Sequence, residues 1–430
     1  MTTGRRLAAA PLLAALLVPA AACADTDRVS RGAWSYFGDP RAVYARGQTF
    51  FGWATPNGLV QVGSIDRRGR VRRSTLDYMG SDDHNHPSLI VRRDGRIAAF
   101  YAPHQNHLVP RVRRYRMYYR VSRRPYDIRA WGPVRTLPRN TPPLRGQPQR
   151  GANYPNPIQM KNGQVWLFWR GGSWWPSFSW TKDFQVWSKP RNVVRAIPGK
   201  RPYVKYASDG KNVYMAFTQA HPNRGDTSMY FLRIGQDGTI HDDRGKRVGT
   251  IARGVDYRRA GVVYRYSRKR GDSWPMDVAV GPDRHPVVVY VRQHPREHRG
   301  VYHYARWTGK RWEDRDVVPA GKGRGGGFYF GGASLDHEDP SVVYVSRRSG
   351  HALAEVEIWR TPDGGRTWST TAVTRRSRTN NWRPISPLGH PGNPVLWFNG
   401  RYDSFLDFST TIFAADGITA RTRRGTTTRP

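Results

Sequence analysis

A short apolar run recurs seven times along this chain, and that recurrence limits the fold more than any other feature. Each copy is a turn carrying Gly, Asp or Asn, then four or five apolar residues, then polar or basic ones. The copies lie at 49–53, 97–101 (after Asp94-Gly95), 165–169 (after Asn162-Gly163), 213–217 (after Asp209-Gly210), 287–291 (after Asp283), 342–345 (after Asp339-Pro340) and 395–398 (after Gly392-Asn393). Their starts are 48, 68, 48, 74, 55 and 53 residues apart, so every interval can hold one four-stranded sheet with its loops. No long helical periodicity follows residue 30, and Val/Tyr/Phe/Trp runs bounded by Gly, Asp, Asn and Pro read as strands. The expected fold is all-β, a seven-bladed β-propeller, with each apolar run as the buried inner strand of a blade.

A second repeat agrees. Thr361-Pro362-Asp363-Gly364-Gly365-Arg366-Thr367-Trp368 matches the Asp-box, a hairpin turn in which Asp and Thr side chains satisfy backbone groups while Trp packs between strands. Residues 267–274 read as a degraded copy with Lys269 in the Asp place, and 306–312 as a further remnant. The motif is architectural and says little about chemistry. The expected division is a secretory signal at 1–24, one propeller over 25–420 and a disordered basic tail at 421–430, which is polar and apolar-poor.

The chain has 430 residues, with 71 Lys+Arg against 32 Asp+Glu and a formal net charge of +39. That excess excludes an ordinary neutral soluble enzyme and points to nucleic acid, a membrane surface or an acidic polymer, although part of it is the solvated surface of an Arg-rich protein. The N-terminus narrows the choice. Arg5 and Arg6 precede an apolar run over 7–22, and Ala22-Cys23-Ala24 fits a small-x-small cleavage site, which is the grammar of a secretory signal. The run is about 16 residues, short of the roughly 20 a membrane span needs. Secretion is the expected destination. Ala20-Ala21-Ala22-Cys23 also reads as a lipoprotein box, so a lipid anchor at Cys23 on the cell surface is the alternative. An exported protein rarely meets nucleic acid, so the expected partner is an acidic polysaccharide, bound by a monomer. Cys23 is the only cysteine, which excludes a disulfide framework and a Cys-based zinc site.

Equivalent strands of a propeller run in one sense, so the residues that follow them should meet on one mouth. His104, Arg170, His221, His294, Arg347 and Arg401 follow the second to seventh copies, a register that scattered surface charge would not keep. A cation-lined mouth recognises carboxylate or sulfate, and Arg does so bidentately. The densest cluster, Ser81-Asp82-Asp83-His84-Asn85-His86-Pro87-Ser88, precedes the second copy. His and carboxylate are common metal ligands, but the spacing matches no recognised metal motif, and a substrate-touching His is preferred to a structural one. Asp336-His337-Glu338-Asp339-Pro340 reads as blade-turn architecture, with Ca²⁺ or another divalent ion as the alternative.

Together these residues resemble the BNR-repeat polysaccharide lyases, seven-bladed propellers that include ulvan lyases and rhamnose–glucuronate lyases. The resemblance runs over 36–413. It rests on Asp82-Asp83-His84-Asn85 with Pro87-Ser88, Tyr154-Pro155-Asn156-Pro157, Phe168-Trp169-Arg170-Gly171, Arg201-Pro202-Tyr203-Val204-Lys205-Tyr206, His221-Pro222-Asn223, the 336–340 cluster and the Asp-box. Each piece alone is weak and the joint pattern is specific. The resemblance implies a catalytic group of two His, one Tyr and one Arg, here His84, His104, Tyr154 and Arg170, with His86 as a rival to His84 whose spacing fits less well. It implies a propeller that cleaves a uronic-acid glycan, ulvan-like or rhamnose–glucuronate, by β-elimination. Cys ligands that bind zinc in some relatives are missing, so no metal site and no cofactor are expected beyond a structural ion. Arg170 would neutralise the carboxylate, Tyr154 would move protons, and His84 and His104 would share the remaining roles. Asn85, Lys205, His221 and Arg224 are expected to bind substrate. Two alternatives stand beside this reading: a sialidase-like glycoside hydrolase, suggested by the Asp-box, and a non-catalytic propeller that binds acidic glycans.

Overall fold

The computed structural model describes residues 26–415, apart from 105–108, 110–111, 114, 294–297, 325–327 and 349–352. The expected signal at 1–24, Cys23, the 421–430 tail and His294 lie outside the described residues, as does the side chain of Arg224. Seven antiparallel sheets follow one another along the chain, over 42–78, 88–136, 153–192, 203–264, 272–322, 333–372 and 381–415. The last blade is completed by the N-terminal strand Thr26–Arg31, which pairs antiparallel with Phe408–Ala415 (Thr26 opposite Ala415) and so closes the ring. The fold is the expected seven-bladed propeller.

The apolar runs prove to be the second strand of each blade and not the innermost. Residues from all seven opening strands line one cavity on the axis, including Val43, Val91, Gln159, Ser208, Asp277, Ser334 and Ile385. The physical reason shows in the third blade, where Val165–Arg170 is wholly buried. Trp166 and Phe168 pack towards Tyr206 and Phe217 of the fourth blade. Val165, Leu167 and Trp169 face the other way, onto Phe100 and Tyr119 of the second. A strand with a neighbouring blade on both faces must be apolar at every position, each full burial being worth about 1.5–3 kcal/mol. The innermost strand borders the axial channel and is freer in composition, from the apolar Ser88–Val91 to Asn153–Gln159 with its two Asn and a Gln.

Hairpin turns fix the register between first and second strands. Gly95, Gly163 and Gly210 adopt φ of 77°, 91° and 81°, the left-handed region glycine tolerates. The preceding Asp94, Asn162 and Asp209 accept the amides of Arg96, Gln164 and Lys211 at 3.1, 3.0 and 2.8 Å.

The Asp-box at 361–368 joins the third and fourth strands of the sixth blade, Ala354–Arg360 and Ser369–Ala372. Asp363 Oδ1 accepts the amides of Arg366 and Thr367 at 2.9 and 2.8 Å, and Trp368 packs edge-on against Tyr304 of the fifth blade. The 306–312 turn holds the equivalent place in the fifth blade, with Thr308 Oγ1 accepting the amide of Arg311. Residues 267–274 do not: they lead into the opening strand Asp272–Val280, and Trp274 walls the main cavity. A copy that the sequence pattern missed lies at 181–187, where Asp183 Oδ1 accepts the amides of Gln185 and Val186 at 2.7 and 2.9 Å. Phe184 stands there at φ 63°, where a glycine would be usual, which hides the motif.

Candidate active site

Innermost strands begin, and second strands end, on the same face of the ring. That face holds a cavity of about 370 Å³ whose walls include His84, His104, Tyr154, Arg170, Tyr203 and Arg383. All four residues assigned to catalysis therefore converge. Their spacing in sequence is hairpin geometry. His84 precedes the second blade's opening strand Ser88–Val91, and His104 follows its partner Ile97–Tyr101. In the third blade Arg170 ends the second strand directly opposite Asn153, next to Tyr154.

Asp82 organises the histidines. It caps the single 3-10 turn Asp83–Asn85 by accepting the His84 amide at 3.0 Å. Its two carboxylate oxygens also contact His84 Nδ1 at 2.8 Å and His104 Nδ1 at 3.1 Å. An ionised carboxylate only accepts, so both Nδ1 atoms carry the proton and both Nε2 atoms are left for the cavity. The rings stack with centroids 3.9 Å apart and 14° from parallel, and Phe405 meets each edge-on. Burial alone would depress His84, but the carboxylates of Asp83 and Asp82 override it and hold the imidazole at about 9. Burial, reinforced by the charge on His84, pushes His104 down to about 4. One histidine is thus cationic at neutral pH and its stacked neighbour is neutral.

A ring-closing ion pair supports this arrangement. Asp83, fully buried, accepts from Arg383 Nη1 at 2.6 Å and from the Tyr402 hydroxyl at 2.5 Å. Burial opposes its charge, yet Arg383 and His84 hold its carboxyl well below the usual range. Arg383 comes from the seventh blade with a left-handed backbone (φ 47°) and also stacks on Tyr36.

Tyr154 faces the histidines, its ring centroid 5.5 Å from His84 and 6.1 Å from His104. A β-bulge between Asn153 and Asn156 places Ala152 and Tyr154 at φ 70° and 57° and turns the phenol into the cavity. Burial, with the neighbouring Tyr203, raises its hydroxyl well above the ordinary tyrosine value, although Arg170 works against this. The Arg170 guanidinium lies 4.4 Å from the Tyr154 ring centre, with Nε on Asn153 Oδ1 at 2.9 Å and Nη1 on the Tyr203 hydroxyl at 3.2 Å. It is cationic and held at both ends.

The expected substrate-binding set fares differently. His221 does line the cavity; its Nδ1 accepts the Asn223 amide at 3.0 Å, and its ring packs edge-on against Tyr203. Asn85 does not reach it. Its side chain is buried, donates to the carbonyls of Met79 and Gly80, and accepts the His104 amide at 3.1 Å, so it positions His104. Lys205 is a structural cation, 1% exposed, that donates to the Tyr36 carbonyl and to Asp39 at 2.8 Å beneath the cavity floor. Its strand neighbours Val204 and Tyr206 pack into the interface with the third blade, and Lys205 leaves the strand from the opposite face. His86, the rival to His84, is buried behind the wall with Nε2 on the Phe37 carbonyl at 2.9 Å. Of the other cations expected on this mouth, Arg347 pairs with Glu357 at 2.7 Å and Arg401 with Asp403 and Asp407. The Asp336 carboxylate is taken up by the amides of Glu338 and Asp339 and by Tyr344.

Asp82, His84 and His104 also form a group whose ligand atoms lie within 4.8 Å of one another, close enough for a metal ion. Their hydrogen bonds suit protons instead: an ion on either Nδ1 would have to displace the proton that Asp82 holds there.

A propeller built this way, with its site at one end of the axis, is matched by the profile of the BNR repeat-containing family over residues 48–320. The chain belongs to that family. No protein of curated function matches it in sequence. Among solved structures, an ulvan lyase of polysaccharide lyase family PL25 superposes with a TM-score of 0.68 at 15% identity, covering 89% of this chain and 94% of that one. The polysaccharide lyase Uly1 follows with 0.57 at 13% identity, over 88% and 90%. The BP39L lectin of Burkholderia pseudomallei gives 0.52 at 11%, over 91% and 97%. At these identities the likeness establishes the fold.

Proposed function

We propose that this protein is an exported polysaccharide lyase that cleaves a uronic-acid glycan by β-elimination. The observation that carries the reading is the meeting, in one cavity, of two stacked histidines held by one carboxylate, His84 and His104, with Tyr154 and a fixed Arg170. β-Elimination needs a base for the weakly acidic C5 proton, charge stabilisation for the enolate-like carboxylate, and an acid for the departing O4. His104, with Nε2 unprotonated, suits the base. The C5–H electrons form the C4–C5 double bond as the C4–O bond breaks, and the Tyr154 hydroxyl supplies a proton to the leaving oxygen. Arg170 and the His84 imidazolium face the carboxylate. The two imidazoles stack, so both can reach one sugar. The neighbouring ulvan lyases, one solved with -[GlcA(1-4)Rha3S]- bound, make a glucuronate-containing polymer the first substrate to try.

A sialidase-like hydrolase would find arginines here too, since Arg170, Arg201, Arg324 and Arg383 all border the cavity. It would also need a Glu beside its Tyr nucleophile, and no Glu lines the cavity among the described residues.

The test is ultraviolet absorbance from the new conjugated double bond during digestion of a panel of uronate polysaccharides. Tyr154→Phe and Arg170→Ala should abolish the signal while the fold is kept. Full activity in both variants would sink the assignment. Released sugar without absorbance would favour hydrolysis.

A further inference from the structure

Beside the Arg170 wall, the turn over 171–175 that leaves the third blade's second strand is pinned on both sides. Gly171 N donates to the Trp175 carbonyl at 2.9 Å, Arg150 N to the Gly172 carbonyl at 2.8 Å, and Leu144 N to Ser173 Oγ at 2.7 Å. A Cβ on Gly172 would come within 2.2 Å of the Thr141 carbonyl, so the turn cannot be spaced out. It presents Trp174, half-buried, at φ 62°. A bulky residue held in the left-handed region costs of order 1 kcal/mol or more, and such strain gathers at binding sites. Two guanidiniums stack on this indole, Arg201 at 4.4 Å and Arg150 at 5.0 Å from its centre. Arg201 also borders the main cavity, and Trp174 shares a side crevice with Arg170 and Tyr203. The platform is therefore continuous with the site.

We propose that Arg150, Trp174 and Arg201 form a second anion subsite, which takes the negative group on a sugar flanking the one that is cleaved. The inference rests on the reading that the cavity takes a uronate. The shared chemistry is a planar or tetrahedral oxyanion on a sugar, and its two sources are a sulfate ester and a further uronate carboxylate.

The test is affinity electrophoresis of the whole protein, carrying Tyr154→Phe so that no chain is cut. Three gel-borne polymers are compared: a uronate polysaccharide with sulfate on the alternating sugar, its chemically desulfated form, and a glucuronate homopolymer. Adding Arg150→Gln and Arg201→Gln should weaken binding about tenfold where a flanking anion is present, the loss of one good charge-assisted contact, and should flatten the salt dependence. Loss confined to the sulfated polymer assigns the subsite to sulfate, and loss on the homopolymer as well assigns it to either anion. No loss on either, or the same loss on the desulfated polymer, overturns the proposal. Arg150→Gln alone, at an exposed position, repeats the comparison without risk to folding. If the unmodified protein binds in this pattern but yields no ultraviolet-absorbing product from any polymer, the lyase reading fails and the subsite stands.

Discussion

Asp82 accepts Nδ1 protons from two stacked imidazoles, His84 at 2.8 Å and His104 at 3.1 Å, so one carboxylate orients both rings and sets the tautomer of the neutral His104. Asp82→Asn keeps the shape but replaces two acceptor oxygens by one acceptor and one donor. His84, cationic and with Asp83 Oδ1 also 2.8 Å from its Nδ1, keeps its proton there, so the neutral His104 must turn a lone pair towards the amide and carry its proton on Nε2, inside the cavity. Turnover is expected to fall by roughly 10²–10⁴. Nitrogen-15 NMR of the histidines should show one ring changing tautomer. A variant with unchanged tautomers and unchanged rate would leave Asp82 with only its turn-capping role.

The opposite charge states of His84 and His104 predict a broad pH profile. Activity requires His104 neutral and His84 charged, so kcat/KM should rise through about 4 and fall through about 9. Asp83→Asn removes one of the carboxylates that hold His84 up, so the alkaline limb should move to lower pH while the acid limb stays. The sign for stability follows from the same shift. His84 is raised from 6.5, so its contribution is full below that value and is lost as pH climbs through about 9. An alkaline limb that does not respond to Asp83→Asn would remove His84 from the carboxylate-neutralising role.

Asp82, His84 and His104 pose a separate question, because the same atoms can bind either protons or an ion. Since each Nδ1 proton already has its acceptor, dialysis against a strong chelator is expected to leave the rate of ultraviolet product formation within about twofold. Loss of activity that zinc restores, and that Asp82→Asn abolishes, would show a metal mechanism instead.

How far the sequence carries depends on which contacts are local. Trp166 and Val165 face different blades, so apolarity at every position of a second strand is visible in a single chain. The innermost strands run from three residues (Ala333–Leu335) to nine (Asp272–Val280) and mix apolar with polar positions, and so leave no comparable pattern. His84 with His104 and Tyr154 with Arg170 are legible because each pair spans one hairpin, whose ends must meet. Arg383 and Tyr402 are not, since they reach Asp83 across 300 and 319 residues and only ring closure brings them there. The one available hint is Asn381-Trp382-Arg383-Pro384, which opens its strand much as Asn153-Tyr154-Pro155 opens the third blade. Lys205 is illegible for the converse reason: a basic residue near the mouth reads as a substrate contact, whereas its ammonium is taken up by the Tyr36 carbonyl and Asp39, 169 and 166 residues away.

That placement gives Lys205 a different phenotype from a subsite residue. Its ammonium is buried, and burial lowers its affinity for a proton although Asp39 works to restore it. It ties the segment before the first blade, through Asp39 and the Tyr36 carbonyl, to the opening strand of the fourth. Lys205→Met fills the same volume but leaves Asp39 with Arg41 as its remaining partner, at 2.9 Å. Breaking one side of a buried pair costs about 3–5 kcal/mol, so a large fall in melting temperature is expected. Glycan affinity, measured well below the new melting temperature, should stay within about twofold, because no part of Lys205 borders the cavity. Asp39→Asn in the same background should recover part of the lost stability by removing the charge left underpaired. A Lys205→Met protein that melts normally but binds glycan weakly would return Lys205 to the substrate-binding set.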